Sequence, residues 1–255
     1  MKNWSTAQKN IASNLLETLG YREVREFQAD EGLITDGIIG EIQTYPALYK
    51  AFLKPVELRF SDFVPSRHVK YQIVLHHSAG WDNARGMFGM WQNDNRGRVA
   101  TAIGINDDGK VYRGYNEEYW AYHIGVNVQH LEQRSVGVEL CNWGALTEKN
   151  GRVYSWADVE LPKEKVEEVN FRGIKYYEKY TDAEIESLKY WILLNAMRFN
   201  IPVAYNHDDL WEVSRKALDG EEGLYTHCSF RQDKTDVSPQ KALIAMLKTL
   251  EDYTK

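Results

Sequence analysis

Two imidazoles stand side by side at the end of the run Tyr71–Gly80, YQIVLHHSAG. Tyr71 to Leu75 has the apolar, β-branched character of a buried strand. A strand that stops at His76 and His77 sets an imidazole at the edge of a sheet, where loops gather and sites form. A histidine at such a place can equally be a hydrogen-bonded structural residue, so the pair alone decides nothing. Far downstream, AYNHDDL supplies His207, and HCSFRQDKTDVSP supplies Lys234 and Asp236. Two neutral imidazoles and one carboxylate can hold a catalytic zinc, with the fourth tetrahedral position left to water. The cation lowers that water's pKa from about 16 toward 7, which gives a usable hydroxide at neutral pH. Spacing does not single out this set, because His77, His123, His227 and Cys228 are chemically eligible as well.

The elements that must position these groups are legible in part. Ser135–Leu140 alternates apolar and small residues as a central strand does, and it carries Glu139. Val99–Ile105 reads as a strand, and Asn106-Asp107-Asp108-Gly109 is a hairpin turn into Val111–Gly114. Ala84–Trp91 has helical spacing. Thr181 with Glu184 forms a capping box for a helix to Phe199, with Ile185, Leu188, Ile192 and Ala196 on one face. A short strand, Val203–Tyr205, is expected to deliver His207. A final helix is expected to open at Ser238-Pro239 and run through Leu243, Leu247 and Leu250. Residues 149–178 read as an irregular excursion beside the core, with a strand over Phe171–Lys179.

Ahead of all this, Ser5 with Gln8 forms a capping box, and Ile11, Leu15 and Leu19 follow at helical spacing. A second helix passes through Val24 and Phe27, a third through Leu48 and Phe52, with a glycine-punctuated turn at Gly32–Gly40 between them. The stretch 55–70 has two prolines, mixed charge and no period, and reads as a linker. Strands alternating with helices predict an α/β layer architecture, a central mixed β-sheet flanked by helices, preceded by a small three-helix bundle.

Composition narrows the function. The 255 residues are 43% hydrophobic and 27% charged, as in a water-soluble globular chain. A net charge of −6 argues against nucleic-acid or anionic-membrane binding driven by charge. Two cysteines, Cys141 and Cys228, cannot make a disulfide framework and suit a reducing compartment; Cys141 reads as a small buried hydrophobe. The 8 tryptophans and 16 tyrosines suit a surface that stacks on sugars or peptides. The opening MKNWSTAQKN has no apolar core for export, and no run is long enough to span a bilayer. The expectation is a cytoplasmic product without membrane insertion.

FQADEGLITDGIIG, followed by Thr44 and Ala47-Leu48, resembles the peptidoglycan-binding module of wall hydrolases, although only one DG turn is present where many such modules show two. VLHHSAG, WAYHIG, RSVGVEL, NHDDL and DKTDVSP then resemble, in order and spacing, the type-2 N-acetylmuramoyl-L-alanine amidases. That superfamily includes phage amidase endolysins and peptidoglycan recognition proteins. The resemblance implies a Zn2+ held by His76, His207 and Asp236, with Glu139 and Lys234 catalytic and His77 and His123 at the substrate. It implies domains at 1–54 for wall binding and 71–255 for catalysis, joined by 55–70, in a monomer whose partner is peptidoglycan. Such a product acts on the wall after release from the cytoplasm, as an endolysin does. Three departures stand out: Asn206 and Asp208 flank His207 where relatives have glycine and arginine, Thr101 stands where some have tyrosine, and KTDVS replaces KTDPG. Residues 145–178 exceed the shortest relatives and are a candidate part of the substrate groove. Two rival functions remain compatible with these residues, a non-catalytic peptidoglycan-recognition protein and a wall peptidase using the same pocket.

Overall fold

The computed structural model describes residues 4–95 and 97–255, so the first three residues of the expected 1–54 module lie outside the described residues. Helix α1 (Thr6–Thr18) begins with the expected capping box: the Gln8 N–H donates to Ser5 Oγ, and the Ser5 N–H donates to Gln8 Oε1. Gly20, at φ +89°, follows its C-cap in a conformation that only glycine adopts without strain. Helices α2 (Val24–Asp30) and α3 (Thr44–Leu53) follow. The FQ…DGII…T pattern has a physical cause. Gln28 is buried, and its side chain binds Asp36 Oδ1, the Ile38 carbonyl, Thr44 Oγ1 and the Gly37 N–H, which holds the α2–α3 turn.

The stretch expected as a linker is laid into the sheet. It forms β1 (Val56–Glu57), Val64 makes an isolated bridge to Trp120, and Lys70 is buried. The Lys70 ammonium donates to the carbonyls of Tyr119 and Gln133. Next come β2 (Gln72–His77), α4 (Ala84–Asn93), β3 (Ile103–Ile105), β4 (Val111–Arg113), α5 (Gln129–Arg134) and β5 (Ser135–Leu140). β3 is shorter than expected, since Val99 contributes only a bridge to Tyr122. The excursion is a second sheet: β6 (Ala145–Lys149), β7 (Arg152–Tyr154), β8 (Glu160–Leu161), β9 (Val166–Phe171) and β10 (Ile174–Glu178). Its hairpins turn at Asn150-Gly151 and Arg172-Gly173, all four residues at positive φ, as two-residue turns demand.

The chain ends with α6 (Asp182–Phe199), α7 (His207–Trp211), α8 (Arg215–Asp219), β11 (Gly223–Thr226) and α9 (Lys241–Thr249). The expected strand at 203–205 does not form. The last helix starts later than expected because Ser238 is occupied elsewhere: its N–H donates to the Tyr180 hydroxyl, and its Oγ accepts from Gln240.

The main sheet runs β1-β4-β3-β5-β2-β11. β2 lies between β5 and β11, parallel to both, and only β3 and β4 pair antiparallel. All six residues of β2 and of β5 are buried, as interior parallel strands require. Helix α6 crosses one face of this sheet. It is buried around most of its circumference, including Trp191, Leu193 and Leu194, because α1, α3 and α9 cover its outer side. The N-terminal helices therefore share one apolar core with α6 instead of enclosing a separate one. The second sheet runs β8-β7-β6-β10-β9, antiparallel throughout. No helix among the described residues is long and apolar enough to cross a membrane.

Candidate metal centre

Parallel pairing brings the C-terminal ends of β2, β5 and β11 to one edge of the main sheet. β2 ends in His76 and His77, and the chain leaving β11 begins with His227. His76 pairs with Glu139 of β5, which puts both side chains on one face. On that face His76 Nδ1 lies 3.0 Å from His227 Nδ1 and 3.2 Å from Asp236 Oδ2. His227 Nδ1 lies 2.9 Å from the same Asp236 oxygen. These three buried residues are the one group among the described residues whose ligand atoms converge as a metal requires.

The hydrogen-bond network fixes which nitrogens carry protons. His227 Nε2 is 2.9 Å from the Ile124 carbonyl, which only accepts, so Nε2 is protonated and Nδ1 offers a lone pair. His76 Nε2 meets His123 Nδ1 at 3.0 Å, and His123 Nε2 meets Ser135 Oγ at 2.8 Å. The Ser135 hydroxyl points to the Glu132 carbonyl, so protons run outward along this chain and His76 Nδ1 is also a bare lone pair. The Glu132 carboxylate accepts from the backbone N–H groups of His123, Ile124 and Gly125, and so fixes the turn on which both imidazoles rest. Three acceptors thus face one another with no donor of their own between them, and a cation is what such a set fits.

Electrostatics agree. Burial, reinforced by His227, depresses His76 to about 4, and burial holds His123 well below the usual imidazole range. Burial alone would raise the Asp236 carboxyl, but His227 and His76, packed against its Oδ2, hold it well below its ordinary value. The favoured state has a neutral His76 beside an ionised Asp236. Glu139 is the opposite case. Burial and the nearby Asp236 push it well above the ordinary carboxylate range, against the pull of Lys234, and its Oε2 has no hydrogen-bond partner among the described residues. The half-buried Lys234 acts on His76 and His77 as well as Glu139, which sets its charge beside the group.

The other residues singled out in the sequence fall as follows. His207 does not reach the group. It opens α7 on the surface with its Nδ1 2.9 Å from the Tyr205 hydroxyl, and NHDDL works as a helix start in which Asn206 caps Asp209. His227 occupies the place the motif register gave to His207. The signal for it was GLYT-H: a short apolar strand ending in histidine, the same pattern as β2, here in the neighbouring parallel strand. His77 points to the opposite face, as alternation along a strand dictates, where the Tyr180 hydroxyl donates to its Nδ1 at 2.9 Å. His123 touches His76 and does not line an open surface. Cys228 stands outside the converging group: its thiol donates to the carbonyls of Lys234 and Asp236, and burial pushes it up to about 12.

One residue escaped sequence reasoning altogether. Arg172, at the β9–β10 turn, sends its guanidinium into the loop between His227 and Asp236. It donates to the carbonyls of Cys228, Arg231, Gln232 and Lys234, and to that of Trp211.

A family model described as N-acetylmuramoyl-L-alanine amidase matches residues 66–238. Among solved structures, the chain is similar to PlyL, at 14% identity over 76% of this chain and 94% of that one, with a TM-score of 0.46. The PlyG catalytic domain aligns at 16% identity over 78% of this chain and 94% of that one, with a TM-score of 0.45. The N-acetylmuramoyl-L-alanine amidase LysC from Clostridium intestinale URNW aligns at 14% identity over 77% and 97%, with a TM-score of 0.43. No curated protein matches the chain.

Proposed function

The chain belongs to the N-acetylmuramoyl-L-alanine amidase family, and from that premise we propose that it is a zinc enzyme cleaving the amide between the lactyl group of N-acetylmuramic acid and L-alanine in peptidoglycan. The observation that carries this reading is the convergence of His76 Nδ1, His227 Nδ1 and Asp236 Oδ2 within 3.2 Å of one another, all as acceptors. A zinc held there supplies Lewis acidity, polarising a carbonyl and making water acidic enough to attack at neutral pH.

The protein's own groups do the rest. Glu139 is buried beside the group with one oxygen unengaged, so it can take the proton of the attacking water and pass it to the leaving amine. A raised carboxyl pKa suits both halves of that task, because the group must hold the proton between the two transfers. Lys234 places positive charge where the tetrahedral oxyanion grows. His123 and Ser135 keep the His76 ring in its ligating tautomer.

The segment 1–54 is proposed to hold wall polymer as well as to cover α6. Ile34, Ile38 and Ile42 are 65%, 44% and 89% exposed around the Asp36-Gly37 turn, an apolar surface that the core does not use. Bringing the enzyme to the polymer raises its effective concentration at the wall.

The test is mass spectrometry of fragments released from purified peptidoglycan, with metal analysis of the dialysed protein. Free stem peptides beginning at L-alanine, near-stoichiometric zinc, and loss of both in Asp236→Ala are expected. Fragments cut within the stem peptide would reassign the bond, and full zinc in Asp236→Ala would overturn the ligand set.

A further inference from the structure

We propose that Trp81, Trp143 and Trp156 form a platform on which a pyranose of the glycan strand stacks, beside the metal centre. The inference rests on the peptidoglycan reading, because that substrate carries a sugar next to the scissile bond. Tryptophans are seldom left in water, yet Trp81 is 63% and Trp156 is 71% exposed. They are not scattered. Both rings are set edge-on around the buried Trp143, with centroids 4.9 Å and 6.0 Å from it and planes at 64° and 74°.

The three rings come from three separate segments, one after β2, one after β5 and one from the β7–β8 turn of the second sheet. All are locked in place. The Trp156 indole N–H donates to the Ala79 carbonyl at 2.7 Å, three residues beyond His76. The Asn142 N–H donates to Ser78 Oγ and the Gly80 N–H to the Asn142 carbonyl, which clasps the Trp81 and Trp143 segments together. Rigid indole faces held open to solvent bring pre-organised stacking surface, whose ordering has already been met by folding.

The surroundings choose the occupant. The exposed apolar surface is limited to two rings, rimmed by charged side chains: Asp82 follows Trp81, and the Lys149–Asp158 and Arg152–Glu160 pairs flank Trp156 on its hairpin. A protein partner needs roughly 800 Å² per side, with an apolar centre. One apolar patch the size of two rings inside a polar rim matches instead a sugar, which has a C–H face and an edge of hydroxyl and acetamido groups. The platform lies at the same C-terminal edge of the main sheet as His76 and Glu139, with Trp81 five residues beyond His76 in the chain.

The test is titration with a β-1,4-linked N-acetylglucosamine tetrasaccharide bearing no peptide, read by tryptophan fluorescence. Wild type should respond, and Trp81→Ala, which leaves the Ala79 tether intact, should bind about tenfold more weakly. Its KM on purified peptidoglycan should rise by a similar factor with kcat and zinc content unchanged. Equal saccharide binding by wild type and Trp81→Ala overturns the platform. So does a response to free stem peptide with none to the saccharide. A wild type that binds the tetrasaccharide but releases nothing from peptidoglycan leaves the platform standing and overturns the enzymatic reading instead.

Discussion

Every residue of β2 and β5 is buried, whereas β6 to β10 bury only Leu146, Leu161, Phe171 and Tyr177. The two sheets place functional groups in correspondingly different ways. In the main sheet, register does the placing: His76 faces Glu139 because β2 and β5 are paired residue for residue. In the second sheet, turns do it: Arg172 sits in the β9–β10 turn and Trp156 in the β7–β8 turn, and each reaches across to the main sheet's loops. A buried parallel sheet fixes chemistry rigidly but offers few residues free to change. An exposed antiparallel sheet can be added beside it and reach in from its turns.

The largest effect that tests this division is at Glu139. Glu139→Gln keeps shape and hydrogen bonding but cannot take a proton, and general acid–base groups contribute about 10²–10⁴-fold. Turnover should fall by that order while zinc content and saccharide binding persist. Retention of more than about a tenth of the wild-type rate would make Glu139 structural and break the claim that register places the chemistry.

Next comes the second sheet's reach into the centre. Arg172→Gln removes the fork that gathers four carbonyls between His227 and Asp236, so ligands stay present but are held loosely. Loss of groups that orient metal ligands typically costs 10–100-fold in affinity. Competition with a chelator should show zinc bound more weakly by about that factor, with activity recovered at excess zinc and Arg172→Lys intermediate. A lowered melting temperature with unchanged zinc affinity would reduce Arg172 to a fold-stabilising role.

This asymmetry also explains what could be read in the sequence. Long periodic elements were legible: the α6 capping box, the β3–β4 turn, and strands β2 and β5 with their buried histidine and glutamate. The second sheet was legible only as one strand, expected over Phe171–Lys179 and found as β10, because its strands are short and half-exposed and carry no strong period. Within the converging group, His76 and Asp236 were legible, whereas His227 was passed over for His207. β11 is four residues long, the shortest run that reads as a buried strand, and so short an apolar run carries no period that fixes its type.

The seam between the sheets gives a smaller, pH-dependent effect. Glu184, at the start of α6 after β10, is raised to about 8 by burial, with Glu178, Asp82 and Asp107 adding to the rise. Its folded pKa lies above its unfolded value, so native protein holds a proton that the unfolded chain releases. Stability from this group is therefore complete below the unfolded value near 4.5 and is lost as pH rises toward 8. Glu184→Gln keeps an acceptor for the Thr181 N–H and cannot ionise. Its melting temperature should match or trail wild type at pH 5 and exceed it at pH 9, by roughly 2–4 °C per kcal/mol recovered. A difference that does not change with pH would mean that Glu184 is ionised in the folded protein throughout.

The smallest effect belongs to His207, and it bears on the main sheet's claim directly. Two histidines compete for one place in the motif order, His207 in NHDDL and His227 in HCSFRQDKTD. Register favours His227, because β11 lies beside β2 and the residue leaving it arrives next to His76. His207 sits one helix away, exposed, with a tyrosine hydroxyl on its Nδ1. Substituting an exposed residue away from buried features usually changes stability by about 0.5 kcal/mol or less. His207→Ala should therefore keep its zinc through dialysis and turn over within about twofold of wild type. His227→Ala should lose both metal and activity. If the outcomes were exchanged, with His207→Ala emptied of zinc and His227→Ala loaded, strand register would not be what places the ligands, and α7 would have to move to the sheet edge for the metal to bind.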